Sequence, residues 1–254
     1  MSNFPGSVVI VTGAGSGIGA ATARRFSRDG FAVVLVDRSA AKLQAVADEL
    51  GTASTLVHVA DVSDQMAAEA MVAKTIETFG HLDVLVNNAG VALMGPFLEM
   101  STGDWRKVMA TDLDGVFFCT RAALPKLQET KGNIVNVSSV SGIGGDWNMS
   151  AYNAAKGAVT NLTRSLAMEL GPKGVRVNAV NPSLTFTDMT DEMKTDAALM
   201  AKFAERIPLG RGAEAAEVAD VIAFLAGHDA RFVTGVNLPV DGGVSASNGQ
   251  PRIV

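Results

Sequence analysis

The chain has 254 residues, 48% of them hydrophobic and 19% charged, which is a globular composition and excludes a disordered one. Its net charge of −5, without a long basic run, excludes nucleic acid as an expected partner. Cys119 is the one cysteine, which excludes an intrachain disulfide and a cysteine-rich zinc site, and no apolar run approaches the length of a membrane span. Met1 to Pro5 lacks the basic start and apolar centre of a secretory leader, so a soluble cytoplasmic protein is expected.

In chain order, Val8 to Val11 is a β-branched run that reads as a buried strand. The turn Thr12-Gly13-Ala14-Gly15-Ser16-Gly17-Ile18-Gly19 follows at once, and Ile18, Ala21, Thr22 and Phe26 continue it with helical period. A glycine-rich turn between strand and helix lets backbone approach a pyrophosphate, whose charge sits on the helix N-terminus. Ala32 to Val36 is a second strand. It ends in Asp37, 18 residues after Gly19, where dinucleotide folds place a carboxylate on the ribose hydroxyls.

Strand and helix then alternate. Ala40 to Leu50 is helical, Leu56 to Val59 a strand, Met66 to Ile76 a helix ended by Gly80, and Leu82 to Val86 a strand leading to Asn87-Asn88-Ala89-Gly90. One long helix is expected from Asp104 towards Gln128, then strand Ile134 to Val137 and a helix carrying Tyr152 and Lys156. Val175 to Val180 is a strand, Val218 to Leu225 a helix and Val236 to Val240 a last strand. About seven strands alternating with helices predict one domain over 1–254, a doubly wound, seven-stranded parallel α/β sheet of Rossmann type. Residues 187–211 break the alternation and read equally as a lid or as a surface excursion; residues 243–254 form a tail.

Tyr152 and Lys156 stand four apart and share a helix face, so phenol and ammonium project side by side. A tyrosine of ordinary pKa about 10 is a poor acid or base at neutral pH, and a neighbouring cation favours its phenolate. Ser139, at the end of a strand, adds a hydroxyl to the same place. Taken alone, Tyr-x-x-x-Lys is more often a pair of surface residues; the rest of the sequence overturns that reading.

Together these pieces resemble the short-chain dehydrogenase/reductase family. The match is Thr12-Gly-x-x-x-Gly-Ile-Gly19, Asn87-Asn-Ala-Gly90, Ser139 thirteen residues before Tyr152, Tyr152-x-x-x-Lys156, and Asn181-Pro182 against the nicotinamide, in family order over nearly the whole chain. Within the family, the loop Gly144-Gly145-Asp146-Trp147 and the terminal Asn248 to Val254 resemble the acetoin reductases, that is, the meso-2,3-butanediol dehydrogenases.

The resemblance implies binding of NAD by Gly13, Ser16, Gly17, Ile18 and Gly19, by Asp37 and Arg38, by Asp61 and Val62, by Asn88, Ala89 and Gly90, by Tyr152 and Lys156, and by Pro182, Thr185 and Thr187. It implies that Tyr152 moves the proton, that Lys156 tunes it and holds the ribose, and that Ser139 steadies the substrate oxygen. Ser139, Ser141, Asp146, Trp147, Asn148 and Gln250 are the expected substrate residues, Trp147 as an apolar wall and the polar ones as partners for a second oxygen. The substrate is then a small alcohol or ketone such as a 2,3-diol, acetoin or diacetyl, and the assembly a homotetramer.

Two positions depart from the family pattern. Asp112, a further catalytic candidate, stands where an asparagine is usual; in the family that residue's backbone carbonyl holds a water reached by the lysine, and the carbonyl of Asp112, not its carboxylate, is expected to anchor that water. Ser183 replaces a glycine after Pro182. The rival activities are a 3-oxoacyl-carrier-protein reductase, against which Asp37 and the acidic net charge count, and a sugar or polyol dehydrogenase. A non-catalytic dinucleotide-binding regulator is disfavoured because Tyr152 and Lys156 are both present. A zinc alcohol dehydrogenase does not fit His58, His81 and His228, which are scattered.

Overall fold

A strand covered on both faces is apolar at every position rather than at alternate ones. Val8–Thr12 (β1) is such a strand, buried throughout in the computed structural model, which describes residues 6–51 and 54–250. After it come α1 (Gly17–Arg28), β2 (Ala32–Asp37), α2 (Ala40–Leu50), β3 (Thr55–Val59), α3 (Gln65–Phe79) and β4 (Val84–Asn87). Next are α4 (Thr102–Met109), α5 (Gly115–Thr130), β5 (Asn133–Val137), α6 (Ser150–Leu170) and β6 (Arg176–Pro182). Two short strands, β7 (Thr185–Phe186) and β8 (Ala213–Glu214), bracket α7 (Asp191–Lys194) and α8 (Ala197–Arg206). Helix α9 (Ala215–Ala226) and strand β9 (Asn237–Val240) follow.

The main sheet has the order β3-β2-β1-β4-β5-β6-β9, with every pair parallel. All seven expected strands are in it. Alternate residues of β1 serve two cores: Val9 and Val11 meet Phe26, Leu43 and Ile222, whereas Val8 and Ile10 meet Met71, Leu127 and Leu170. Helices α1, α2 and α9 therefore cover one face and α3, α5 and α6 the other. The strand order reverses between β1 and β4, which opens a crevice at their carboxyl ends.

The long helix expected from Asp104 is not one regular helix. It begins at Thr102, where Ser101 Oγ accepts from Asp104 N at 2.9 Å. A π turn, Ala110–Asp114, then separates α4 from α5, closed by Gly115 N donating to Ala110 O. A π turn keeps the helix axis but rotates the following side chains, and such turns concentrate at functional sites; hydrophobic period alone does not reveal it.

The 187–211 segment is fastened at both ends. A Cβ on Gly17 would lie 3.0 Å from Thr187, and Lys42 Nζ lies 2.7 Å from Asp188 Oδ2. At the far end Ile207 is buried and Leu209 N donates to Gly242 O at 3.1 Å. Between them α8 buries no side chain. The described part of the tail holds a 3₁₀ turn, Val244–Ala246, and residues 251–254 lie outside the described residues. Among the described residues no helix is long and apolar enough to cross a membrane.

Cys119 sits in the second core, 1% exposed, and burial pushes its thiol up to about 12. The folded thiol is therefore neutral, and the thiolate is the reactive form. Native protein should resist a disulfide reagent at pH 8 and react with one equivalent on denaturation; fast labelling of the native chain contradicts this packing.

Candidate active site

The glycine turn is shaped by its neighbours. Gly13 has φ +65°, and a Cβ there would meet Asn88 Nδ2 at 2.8 Å. A Cβ on Gly19 would meet Gly13 O at 2.1 Å. Both positions thus require glycine for close approach, not only for conformational freedom. Asn88 Nδ2 donates to Thr12 O at 2.9 Å and to Gly13 O at 3.2 Å, while Thr12 Oγ1 accepts from Asn88 N and Ala89 N. Asn88 and Ala89 accordingly brace the turn from β4. Ser16, the residue before α1, makes no side-chain cap, and the first turn, with Gly17 and Ile18, carries no acidic residue. The helix N-terminus is left to an anion, as a dinucleotide requires.

At the end of β2, Asp37 Oδ1 accepts from Ser39 N at 3.0 Å and Oδ2 from Gly15 N at 3.3 Å. Asp37 lines the crevice with Gly13, Asp61, Val62, Ala89 and Gly90. Arg38 leans to Asp61, 3.6 Å away, rather than over Asp37. Pro182 closes β6 beside Val240, and Thr185 Oγ1 donates to Ser183 O at 3.1 Å. Ser183 is not in the left-handed region, so the turn does not need the usual glycine. The glycine cradle, the open helix end and the ribose carboxylate all fit a nicotinamide dinucleotide.

Beside this crevice Ser139, Tyr152 and Lys156 come together. Ser138 joins β5 to α6: its Oγ donates to Lys156 O at 3.0 Å and pairs with Thr160 Oγ1 at 2.9 Å. The turn after Ser139 packs so closely on α6 that a Cβ on Gly142 would stand 2.6 Å from Lys156 O. Ser139 Oγ accepts from Ser141 N at 3.1 Å and donates to Ser141 Oγ at 3.1 Å or Pro182 O at 3.4 Å. Tyr152 is half-buried, and Lys156 Nζ lies 5.5 Å from its ring centroid. Lys156 is 4% exposed and donates to Val137 O at 3.0 Å.

Asp112 is not idle. The π turn points its fully buried carboxylate at the site, where Oδ1 accepts from Val91 N at 2.8 Å and Oδ2 lies 3.3 Å from Lys156 Nζ. Oδ2 makes no directed hydrogen bond, so its partner is the ammonium charge. A Cβ on Gly90 would intrude at 2.9 Å from Oδ2 and 3.3 Å from Nζ, so Gly90 leaves room for the pair. Burial pushes the Asp112 carboxyl up, opposed by Lys156 and the Val91 N–H. Burial also works against the Lys156 ammonium, but Asp112 and Tyr152 more than offset it and hold the lysine above its ordinary value. Removing one member of such a buried pair costs about 3–5 kcal/mol.

The loop after Ser139 differs from expectation in one respect. Ser141 Oγ donates to Asp146 Oδ2, and Asn153 on α6 clamps the Asp146 backbone, donating to its O at 3.0 Å and accepting from its N at 3.2 Å. This ties the exposed Asp146 to the buried Ser141, while Trp147 is 90% exposed, so Trp147 is no wall of the pocket within this chain. Tyr152, like Val91, Leu93 and Met109, packs against the buried cluster of Val108, Ala151 and Ala155. Asn148 is left-handed at φ +59°, its O accepting from Gly95 N at 2.8 Å. Gln250 is exposed, its N–H bonded to Asn248 Oδ1 at 3.1 Å.

Sequence reasoning missed the buried amides that hold the frame. Asn87 Nδ2 donates to Thr120 Oγ1 and Asn136 Oδ1, and Asn136 Nδ2 to Thr163 Oγ1, tying α5, β4, β5 and α6 together. The available signal was Asn136 inside the apolar run Ile134 to Val137 and Asn87 directly after the run Leu82 to Val86.

A family profile described as enoyl-(acyl carrier protein) reductase matches residues 13–245. The chain is 52% identical over 251 residues to meso-2,3-butanediol dehydrogenase of Serratia marcescens, covering 99% of each. Levodione reductase superposes with a TM-score of 0.92 at 38% identity, over 96% of this chain and 100% of that one. The 3-ketoacyl-(acyl-carrier-protein) reductase of Brucella melitensis, solved with NADH, gives 0.88 at 35% identity, over 95% and 99%. With the Tyr152–Lys156 pair and Ser139 placed against a dinucleotide crevice, the chain belongs to the short-chain dehydrogenase/reductase family and is an oxidoreductase.

Proposed function

We propose that the protein is an NAD-dependent dehydrogenase of small vicinal diols and hydroxyketones, working on acetoin, diacetyl or a 2,3-butanediol. The observation that carries the reading is the convergence of Ser139, Tyr152 and Lys156 beside the β1/β4 crevice. The relative from Serratia marcescens, named as a meso-2,3-butanediol dehydrogenase, supports the substrate class.

In the reductive direction Ser139 Oγ donates to the carbonyl oxygen and Tyr152 delivers its phenolic proton there. Lys156 steadies the phenolate left behind and holds the nicotinamide ribose. A nicotinamide bound in the crevice would supply the hydride for the carbonyl carbon. Asp146, held by Ser141, offers a carboxylate beside Ser139 for the second oxygen. The exposed apolar side chains Phe117 on α5, Met168 on α6 and Phe224 on α9 support a homotetramer, in which Gln250 serves a neighbouring subunit's pocket. The single cysteine supports a cytoplasmic location.

Tyr152→Phe should lower turnover at least about 100-fold and leave NADH binding close to normal, because only the proton-transfer group is lost. Lys156→Ala should harm both. Retention of more than about a tenth of the rate by Tyr152→Phe removes the acid–base assignment.

Cofactor choice follows from Asp37. Its carboxylate accepts from ribose hydroxyls, whereas a 2′-phosphate meets a like charge and Arg38 is drawn aside to Asp61. NAD should exceed NADP in catalytic efficiency, and Asp37→Ala should narrow the gap; equal efficiencies in the unmodified enzyme exclude the reading.

A site that hydrogen-bonds a second oxygen rejects a ketone lacking it, since its polar groups are then left unpaired. Acetoin and diacetyl should be reduced far more efficiently than 2-butanone. Parity between them, or a strong preference for an acyl thioester, moves the assignment to the carrier-protein reductases.

A further inference from the structure

We infer that Asp188, at the start of the 187–211 segment, is a specificity-determining residue for the cofactor: it draws Lys42 away from the ribose end of the crevice, as Asp61 draws Arg38. The inference rests on the proposed NAD preference and adds a second cause for it. Asp37 is the carboxylate at that end, yet two cations stand within reach of it. Arg38 follows it directly in the chain. Lys42 lies in the first turn of α2. A Cβ on Gly15 would stand 2.9 Å from Lys42 Cβ and 3.1 Å from Asp37 Oδ2, so the lysine stem and the carboxylate share one patch of the glycine turn. Either cation, turned inwards, would offer a 2′-phosphate the positive partner that an NADP site needs.

Neither is turned inwards. Arg38 Nη1 lies 3.6 Å from Asp61 Oδ2, and Lys42 Nζ donates to Asp188 Oδ2 at 2.7 Å. The backbone is fixed at both ends of the second pair. Ser39 Oγ accepts from Lys42 N at 3.4 Å where α2 begins. Thr190 Oγ1 accepts from Thr187 N at 3.0 Å and donates to Thr185 O at 2.8 Å, which holds the turn that bears Asp188. Lys42, and more weakly Lys194, keep the Asp188 carboxyl below its usual range, so the anion is present at neutral pH. Lys194 is itself paired with Asp191 Oδ1 at 2.7 Å. The ribose end thus carries Asp37, Asp61 and Asp188 against Arg38 and Lys42, and both cations are committed. A 2′-phosphate meets an excess of negative charge there, whereas ribose hydroxyls meet an acceptor. The Lys42 stem is flexible and half exposed, so loss of the Asp188 charge releases the ammonium towards Asp37 without stranding a buried cation.

The test is equilibrium binding, read without turnover from the fluorescence of NADH and of NADPH at low ionic strength. The intact protein, Asp188→Asn, Asp188→Ser and the double variant Asp188→Asn/Lys42→Gln are each titrated, with circular dichroism as the check on folding. In Asp188→Asn the Kd of NADPH should fall about two- to five-fold relative to that of NADH, the scale of one exposed ion pair. Asp188→Ser should behave alike and serves if the amide variant does not fold. Salt should erode the gain, because exposed charges are screened, and removal of Lys42 should cancel it. An unchanged ratio in the Asp188 variants overturns the inference, as does a gain that survives salt or the loss of Lys42. Because the ratio is compared between variants, its failure leaves the NAD preference of the intact protein standing; equal efficiencies with both cofactors in that protein would instead sink the NAD reading.

Discussion

The site depends on keeping one ammonium charged where water does not reach. Lys156 is buried, and an unpaired buried cation either loses its proton or its place. Two acceptors prevent that, the carbonyl at the end of β5 and the carboxylate from the π turn. They come from elements that meet only if sheet register, helix packing and the π turn are all correct. The Ser138 bond to Lys156 O and the Asn87–Asn136–Thr163 chain fix those elements from below. The catalytic geometry is thus a consequence of the core, with chemistry at its rim.

Much of this was legible in the sequence. The seven strands follow from apolar runs, and a parallel sheet with both faces covered leaves little else for such runs to be. The glycine turn, Asp37 and the Tyr152–Lys156 spacing are local signals, readable because strand, turn and helix are contiguous. The alternation implied a doubly wound parallel sheet, and the crevice at the β1/β4 reversal follows from the strand order of the folded sheet.

What the sequence hid was non-local. The π turn inserts one residue into a continuous helical pattern, which period-3.6 reasoning smooths over, and with it went the role of Asp112. Trp147 read as a wall of the pocket because its loop follows Ser139; a hydrogen bond from Ser141 and the clamp from Asn153 send it to solvent instead. Asn136 was read as part of an apolar strand and Asn87 as the start of the motif after one, although a buried amide must find partners and so reports where neighbouring elements lie.

The most direct measurement is a crystal structure of the enzyme with NADH and a non-reacting analogue of acetoin. The substrate-like oxygen should lie within hydrogen-bond distance of both Tyr152 Oη and Ser139 Oγ, with Lys156 on the nicotinamide ribose and the Asp112 contact kept. An analogue bound away from these two hydroxyls, or a cofactor whose nicotinamide points out of the β1/β4 crevice, contradicts the account.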